Sequence, residues 1–374
     1  MNFIGIDLHT NRFTCCYRDE NSSIENLSKG RNIITFGLDK HGLAEFYKTL
    51  TKDTYVLVEA TITTFSFVRL FKDMVKEVFI ANTYELKQIS AARCNTDKID
   101  ADKLCRLLKA QVLSGEQFIS PVTLAPKEIQ VLRSLFTSYR LMQKQNVQLK
   151  NRIHSILKEQ LYGFTQEEIF SKSKRELIQS ISSDPVLNFH VNFFLRQLEE
   201  GEKAVDILKE QILLQAAPYM KEIEILTSIK GISVFIAIAI IADIIDVSRF
   251  KNSKAFTSYL RSAPTVSNSN TTVSIRGTNK KGRKLSATLL TQSLNHVLDS
   301  SLKLRRWYDR LCEYKKPGLV RTGLRRRVFA EIFQMLKKGE YHYARNENNH
   351  QAKMMQYQRF LEKHKSQTFL TKSA

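Results

Sequence analysis

The sequence predicts an α/β domain followed by a mostly helical remainder, an α/β plus α chain. Three observations carry this. Short apolar runs alternate with helix-forming segments up to residue 80 in the order β-β-β-α-β-α-β, which suits a mixed sheet with flanking helices. Two long stretches then place apolar residues at alternating steps of three and four. The chain has 374 residues, which at ~150 residues per domain gives two domains with a connector, or one large domain.

The elements follow in order. Phe3-Ile4-Gly5-Ile6 is a short buried strand, and Phe13 to Tyr17 and Ile33 to Phe36 are its hairpin neighbours across loops rich in Asn, Ser and Gly. Leu43 to Leu50 reads as a helix, Tyr55 to Val58 as a buried strand, Phe65 to Val75 as a helix and Val78 to Ile80 as a strand. A loop from Ser114 to Pro126 closes this first domain, 1–120. A helical linker, 121–220, carries the two heptad seams. One runs from Leu132 through Asn146 to Gln160 and the other from Val191 through Gly201 to Gln215, with stops at Gly163 and Pro218. Such seams pair either antiparallel within the chain, as a coiled coil, or with another subunit. The third domain, 221–345, opens on Leu226 to Ser233. That segment reads as a helix-hairpin-helix entry or, more plainly, as a Gly turn before a buried helix. Residues 346–374 read as a basic, polar tail.

Charge narrows the function classes. Lys and Arg number 58 against 37 Asp and Glu, a formal net charge of +21, which points to a polyanionic partner, nucleic acid first. From Arg249 to Leu298 there are nine Lys or Arg and no acid. A merely solvated basic face usually carries some acids, so this stretch, with Arg276, Lys280, Lys281, Arg283 and Lys284, reads as a phosphate-facing surface. The Arg325-Arg326-Arg327 run, with Arg305, Arg306, Trp307 and Tyr308, places bases beside aromatics as a nucleic-acid groove requires. The longest apolar run, Val234 to Ala242, is nine residues, well under the ~20 that span a bilayer, so a membrane protein is not expected. The N-terminus lacks a secretory signal pattern. The five cysteines, Cys15, Cys16, Cys94, Cys105 and Cys312, lack metal-ligand spacing and read as free thiols of a reducing cytoplasm.

Four carboxylates stand out. Asp7 ends the first buried strand and Glu59 ends the strand from Tyr55, positions where a carboxylate is costly unless paired. Asp97 and Asp100 are three apart and share a face if a helix begins there, with Asp102 out of phase. Singly, each has an ordinary explanation: a turn cap, a helix N-cap, a surface pair with Lys103. Together, in this order, they form the layout of an RNase H-like nuclease site, whose oxygen ligands suit Mg²⁺. His9 could face the same site, although a surface histidine is the plainer reading.

These residues resemble the DEDD transposases of the insertion-sequence-110 family, relatives of Piv-like DNA invertases. The resemblance runs from about Phe3 to Lys338. Gly5-Ile6-Asp7, Glu59-Ala60-Thr61 and Asp97-Lys98-Ile99-Asp100-Ala101 fit the family's four acids in a RuvC-like domain. Leu226 to Gly231, Arg249-Phe250, Tyr259 to Pro264, Ser269 and Gly282 to Leu285 resemble its second domain. Ile62 stands where the family usually has Gly, and Ser269-Asn270 where it has Ser-Gly. Ser262, Ser267 and Ser274 lie nearby. The resemblance implies that the acids hold Mg²⁺ while Ser269 attacks a DNA phosphate, leaving a phosphoserine intermediate and a free 3′ hydroxyl. It also implies DNA partners at the element's ends and target, a structured guide RNA, a homo-oligomer (dimer or tetramer) with composite sites, and a cytoplasmic, nucleoid-associated location. Two other readings stand beside it: an RNase H-like nuclease that uses water, and a non-catalytic nucleic-acid-binding descendant. The presence of all four acids weighs against the last.

Overall fold

The computed structural model describes residues 1–22, 32–83, 86, 96–119, 122–163, 165, 171–269, 272–278 and 282–371. For residues 172, 265–269, 272–276 and 365–371 it describes the backbone alone. The chain forms two compact units, Met1–Ala125 and Pro126–Ala374.

The first unit is built on a five-stranded sheet. Its strands are β1 Asn2–Leu8, β2 Arg12–Asp19, β3 Ile33–Gly37, β4 Thr54–Glu59 and β5 Glu77–Ala81, in the spatial order β3-β2-β1-β4-β5. β1–β2 and β2–β3 pair antiparallel, whereas β1–β4 and β4–β5 pair parallel. Parallel neighbours require helical crossovers, supplied by α1 Lys40–Lys48 and α2 Thr64–Phe71. The central strands are buried on both faces, which explains why they read as continuous apolar runs rather than as alternation. On one face Ile4, Ile6, Val56 and Val58 pack with Phe46 of α1 and Phe67 and Phe71 of α2. On the other, Phe3, Cys16 and Leu57 pack with Ala101, Leu104, Cys105 and Leu108 of α3 Asp97–Ser114.

Gly5 sets how closely α3 approaches. A Cβ there would sit 2.3 Å from the Cys105 backbone nitrogen and 2.4 Å from the Ala101 carbonyl oxygen. Backbone cannot yield as a side chain does, so Gly5→Ala forces α3 off the sheet. The expected destabilisation of the first unit is about 3 kcal/mol, the upper range for overpacking, read by chemical denaturation.

The second unit begins with two long helices, α4 Lys127–Glu159 and α6 Pro185–Gln215, with the short α5 Arg175–Gln179 between them. They run antiparallel. Asn146 lies against Gly201, and further along α4 Ile153, Ile156 and Leu157 meet Leu187, Val191, Leu195 and Leu198. The two seams thus pair within the chain. Gly201 belongs there because a Cβ would lie 2.1 Å from Asn146 Oδ1.

After Pro218 come α7 Met220–Thr227, α8 Val234–Ile244 and α9 Ser253–Tyr259. Between α7 and α8, Gly231 takes φ +94° where a Cβ would press on Val297. Lys353 Nζ donates to the Thr227 and Ile232 carbonyls of the same turn. An antiparallel hairpin, β6 Pro264–Ser269 and β7 Thr272–Thr278, follows. Then come α10 Leu285–Leu298, α11 Leu302–Cys312, α12 Pro317–Lys338 and α13 Glu347–Thr371. The expected polar tail is therefore helical. Its buried residues His350, Met354, Tyr357 and Leu361 recur at steps of four, three and four, a stripe too thin to stand out by composition. His350 Nε2 lies 2.9 Å from the Glu224 carbonyl oxygen, and the Tyr357 hydroxyl donates to the Leu213 carbonyl. No helix among the described residues is long and apolar enough to cross a membrane.

Candidate active site

Asp7, Asp97 and Asp100 gather at one corner of the first unit, Glu59 stands at the end of the strand beside Asp7, and the sheet explains why. Ile6 pairs with Val58 in the parallel β1–β4 register, so Asp7 and Glu59 are the next residues on adjacent strands. Side chains alternate along a strand, so Asp7 follows Phe3 and Gly5 onto the face that α3 covers, and Glu59 follows Tyr55 and Leu57. Helix α3 starts over this strand end. Its N-cap is Thr96, whose hydroxyl accepts from the Ile99 amide, and this leaves the Asp97 carboxylate free for other partners. Asp97 and Asp100 occupy the first turn, where the helix dipole favours negative charge.

The contacts are short. His9 Nε2 lies 3.0 Å from Asp7 Oδ2 and 3.3 Å from Asp97 Oδ1. Arg12 Nη2 donates to Asp97 Oδ2 at 2.9 Å, and Lys103 Nζ donates to Asp100 Oδ1 at 3.0 Å. Burial pushes the Asp7 carboxyl above its ordinary range. His9 pulls it down, and the negative charges of Asp97 and Asp100 push it further up. At Asp97 desolvation also pushes upward, but His9 and Arg12 outweigh it and the carboxyl lies below its usual range. Asp102 is apart from this group, as its helical phase predicts. It is buried and paired with Arg18 Nη2 at 2.6 Å and Arg106 Nη2 at 2.7 Å.

This donor set fits a divalent cation. One ligand atom each from Asp7, His9 and Asp97 lies within 4.8 Å of the others, and Asp7, which burial and the charges of Asp97 and Asp100 disfavour as an anion, is the carboxylate that a bound cation would relieve most. His9 is the residue that the sequence reading undervalued. Half exposed as it is, it sits between two acids, and its only sequence signal was its place two residues after Asp7.

The second unit holds the basic residues and Ser269. The serine lies on β6 with its Cα opposite Thr272. Both feet of the hairpin are tied down. Asp243, wholly buried at the end of α8, accepts from Arg283 Nε at 2.6 Å, from the Ser286 amide at 2.9 Å and from the Ser286 hydroxyl at 2.8 Å. The Arg283 amide donates to the Tyr259 carbonyl, and Arg261 Nε donates to the Gly282 carbonyl. Arg325 turns inward, donating from Nε to Ser262 Oγ, from Nη1 to Thr291 Oγ1 and from Nη2 to the Arg261 carbonyl. Of the residues predicted to meet nucleic acid, Arg325 is thus engaged through all three nitrogens, whereas Arg283 bonds through Nε and keeps its side chain about 35% exposed. Lys284, Arg326 and Arg327 are exposed, and Arg327 lies over the Trp307 ring at 5.1 Å. Arg276 lies on β7, its side chain outside the described residues, as are Lys280 and Lys281 entirely. No sequence signal marked Asp243, which sits at the end of an otherwise apolar run.

Two family models match the chain. A DEDD transposase model of the IS110 group, described as "Transposase", covers residues 4–161. A model described as "Transposase IS116/IS110/IS902 family" covers residues 223–308. Together they span more than half of the sequence. No curated protein matches it.

Proposed function

The chain belongs to the IS110 family of transposases, and from that premise we propose that it cuts and rejoins DNA at the ends and target of an insertion sequence, through a serine–DNA intermediate. The observation that carries this reading is the acid corner, Asp7 with Asp97 and Asp100, in the same chain as a basic unit that holds Ser269 on an anchored hairpin. The first unit is RNase H-like in this reading, supported by a sheet of three antiparallel strands extended by two parallel ones. The paired long helices are an antiparallel coiled-coil linker, with domain limits near residues 120, 220 and 345. Asp7, Glu59, Asp97 and Asp100, with His9, would hold the metal, and hard oxygen ligands favour Mg²⁺. When bound, it supplies charge neutralisation at the scissile phosphate.

The chain's own residues do the rest. Ser269 Oγ forms a bond to phosphorus as the bond to the 3′ oxygen breaks. The serine proton passes to an ionised carboxylate or to water, and the departing oxygen takes up a proton to become a 3′ hydroxyl. Lys284, Arg326 and Arg327 neutralise phosphates along the strand. A structured guide RNA, a dimer or tetramer with acids and serine drawn from different copies, and a cytoplasmic location at the nucleoid complete the proposal.

The test is a covalent adduct. Wild type, Ser269→Ala and Asp7→Ala proteins, with any co-purified RNA, are mixed with Mg²⁺ and DNA spanning the element's ends and run on a denaturing gel. An adduct with wild type alone is expected. Cleavage that survives Ser269→Ala without an adduct would instead establish a water-using nuclease.

A further inference from the structure

A cavity of about 440 Å³ opens on the second unit, beside the end of α12 and the turn after it. That volume lies within the range of roughly 300–1,000 Å³ that holds small molecules. Arg327, Glu331, Gln334 and Lys338 line it at steps of four, three and four, one face of the helix. Tyr343 stands at its edge, 84% exposed, its ring 4.5 Å from that of the buried His342. The neighbouring Tyr341 is held still. Its hydroxyl donates to Glu224 Oε1 at 2.7 Å, and the Arg345 guanidinium lies over its ring at 4.3 Å. The lining is mainly apolar, the cations Arg327 and Lys338 stand on it beside the acids Glu331 and Glu340, with Lys338 Nζ 3.7 Å from Glu340 Oε2, and a large aromatic face lies open to water on a buried support.

We propose that this cavity receives one unpaired nucleotide of a single-stranded nucleic acid. Its base stacks on Tyr343, Glu331 and Gln334 face the base edge, and Arg327 and Lys338 meet the flanking phosphates. Every base has a π-face, and a single strand leaves that face free whereas a duplex buries it between its neighbours. The inference rests on the transposase reading only in that the chain binds nucleic acid, and it uses neither the acids nor Ser269.

The experiment uses the full chain with short single-stranded RNA and DNA carrying 5-iodouracil, which crosslinks on irradiation to a stacked aromatic ring. The crosslinked peptide is expected to contain Tyr343, and comparing the RNA and DNA arms identifies which strand supplies the nucleotide. Tyr343→Ala should weaken single-strand binding about tenfold, as loss of one stacked base does. Tyr343→Phe should restore it, and duplex affinity should not change. The same crosslink is expected in a protein carrying both Asp7→Ala and Ser269→Ala, so failure of the recombinase mechanism would leave this result standing. A crosslink confined to other peptides, or single-strand affinity unmoved by Tyr343→Ala, overturns the proposal.

Discussion

Asp7→Asn is expected to lower metal-dependent DNA cleavage by about three orders of magnitude, the scale of losing one electrostatic contact to a developing charge, while leaving the fold as stable as before. The two effects separate because Asp7 is destabilised where it stands. Burial and the charges of Asp97 and Asp100 all disfavour its ionised form, so a neutral isostere relieves repulsion. Asp102→Asn should do the reverse. Its carboxylate and the Arg18 guanidinium are each 6% exposed in side chain and pair at 2.6 Å, with Arg106 as a second partner. Removing one partner of a buried ion pair strands the other, a loss of roughly 3 kcal/mol. For a unit of 125 residues that lowers its melting temperature by about 10 °C. Calorimetry on both variants, beside a cleavage assay with and without Mg²⁺, reads the contrast. If Asp7→Asn melted early, or if Asp102→Asn alone abolished cleavage in folded protein, the roles assigned to the two acids would have to be exchanged.

The setting of these acids is what makes them visible in the sequence. Asp7 and Glu59 are conspicuous because each closes an apolar run of strand length, and the phase of Asp97 and Asp100 separates them from Asp102 with no structure needed. The sheet was legible for the same reason, since short apolar runs of strand length flanked by Asn, Ser and Gly have few other uses. The hairpin β6–β7 was not. Its residues alternate Val and Ile with Ser, Asn and Thr, and that weak two-residue period in a polar setting also describes a loop. His9 shows how two readings coexist, because it is a half-exposed surface histidine and also lies within reach of both Asp7 and Asp97. The basic residues show a different limit. Arg325 contributes to the charge run like its neighbours, yet its guanidinium bonds within the fold through all three nitrogens, and charge counting cannot see direction.

Asp243→Ala is expected to be the most damaging change in the second unit. Three donors converge on this carboxylate, and a fourth group, Arg133, donates from Nε to the Ala242 carbonyl and from Nη2 to that of Asp243 itself. Arg133 is a buried cation beside another. Burial, with the nearby Arg283 charge adding to it, pushes its guanidinium down to about 10, and Asp243 is among the groups that resist this shift. Without the carboxylate two cations face each other and the Ser286 hydroxyl and amide lose their acceptor, which costs about 4 kcal/mol. For a unit of this size the melting temperature should drop by about 10 °C. The local consequence matters more. Arg283 links Asp243 to the Tyr259 carbonyl, and the adjacent Gly282, at φ +94°, accepts from Arg261 at the other foot of the hairpin. Cutting that link should raise hydrogen exchange across residues 264–278 and, if Ser269 is the nucleophile, depress adduct formation even where the protein remains folded. Arg325→Lys, which cannot reproduce the three-way grip on Ser262, Thr291 and the Arg261 carbonyl, should raise exchange in the same segment with a smaller thermal loss. If exchange in 264–278 stayed at its wild-type rate in both proteins, the hairpin would owe its position to something other than this buried carboxylate and its arginines.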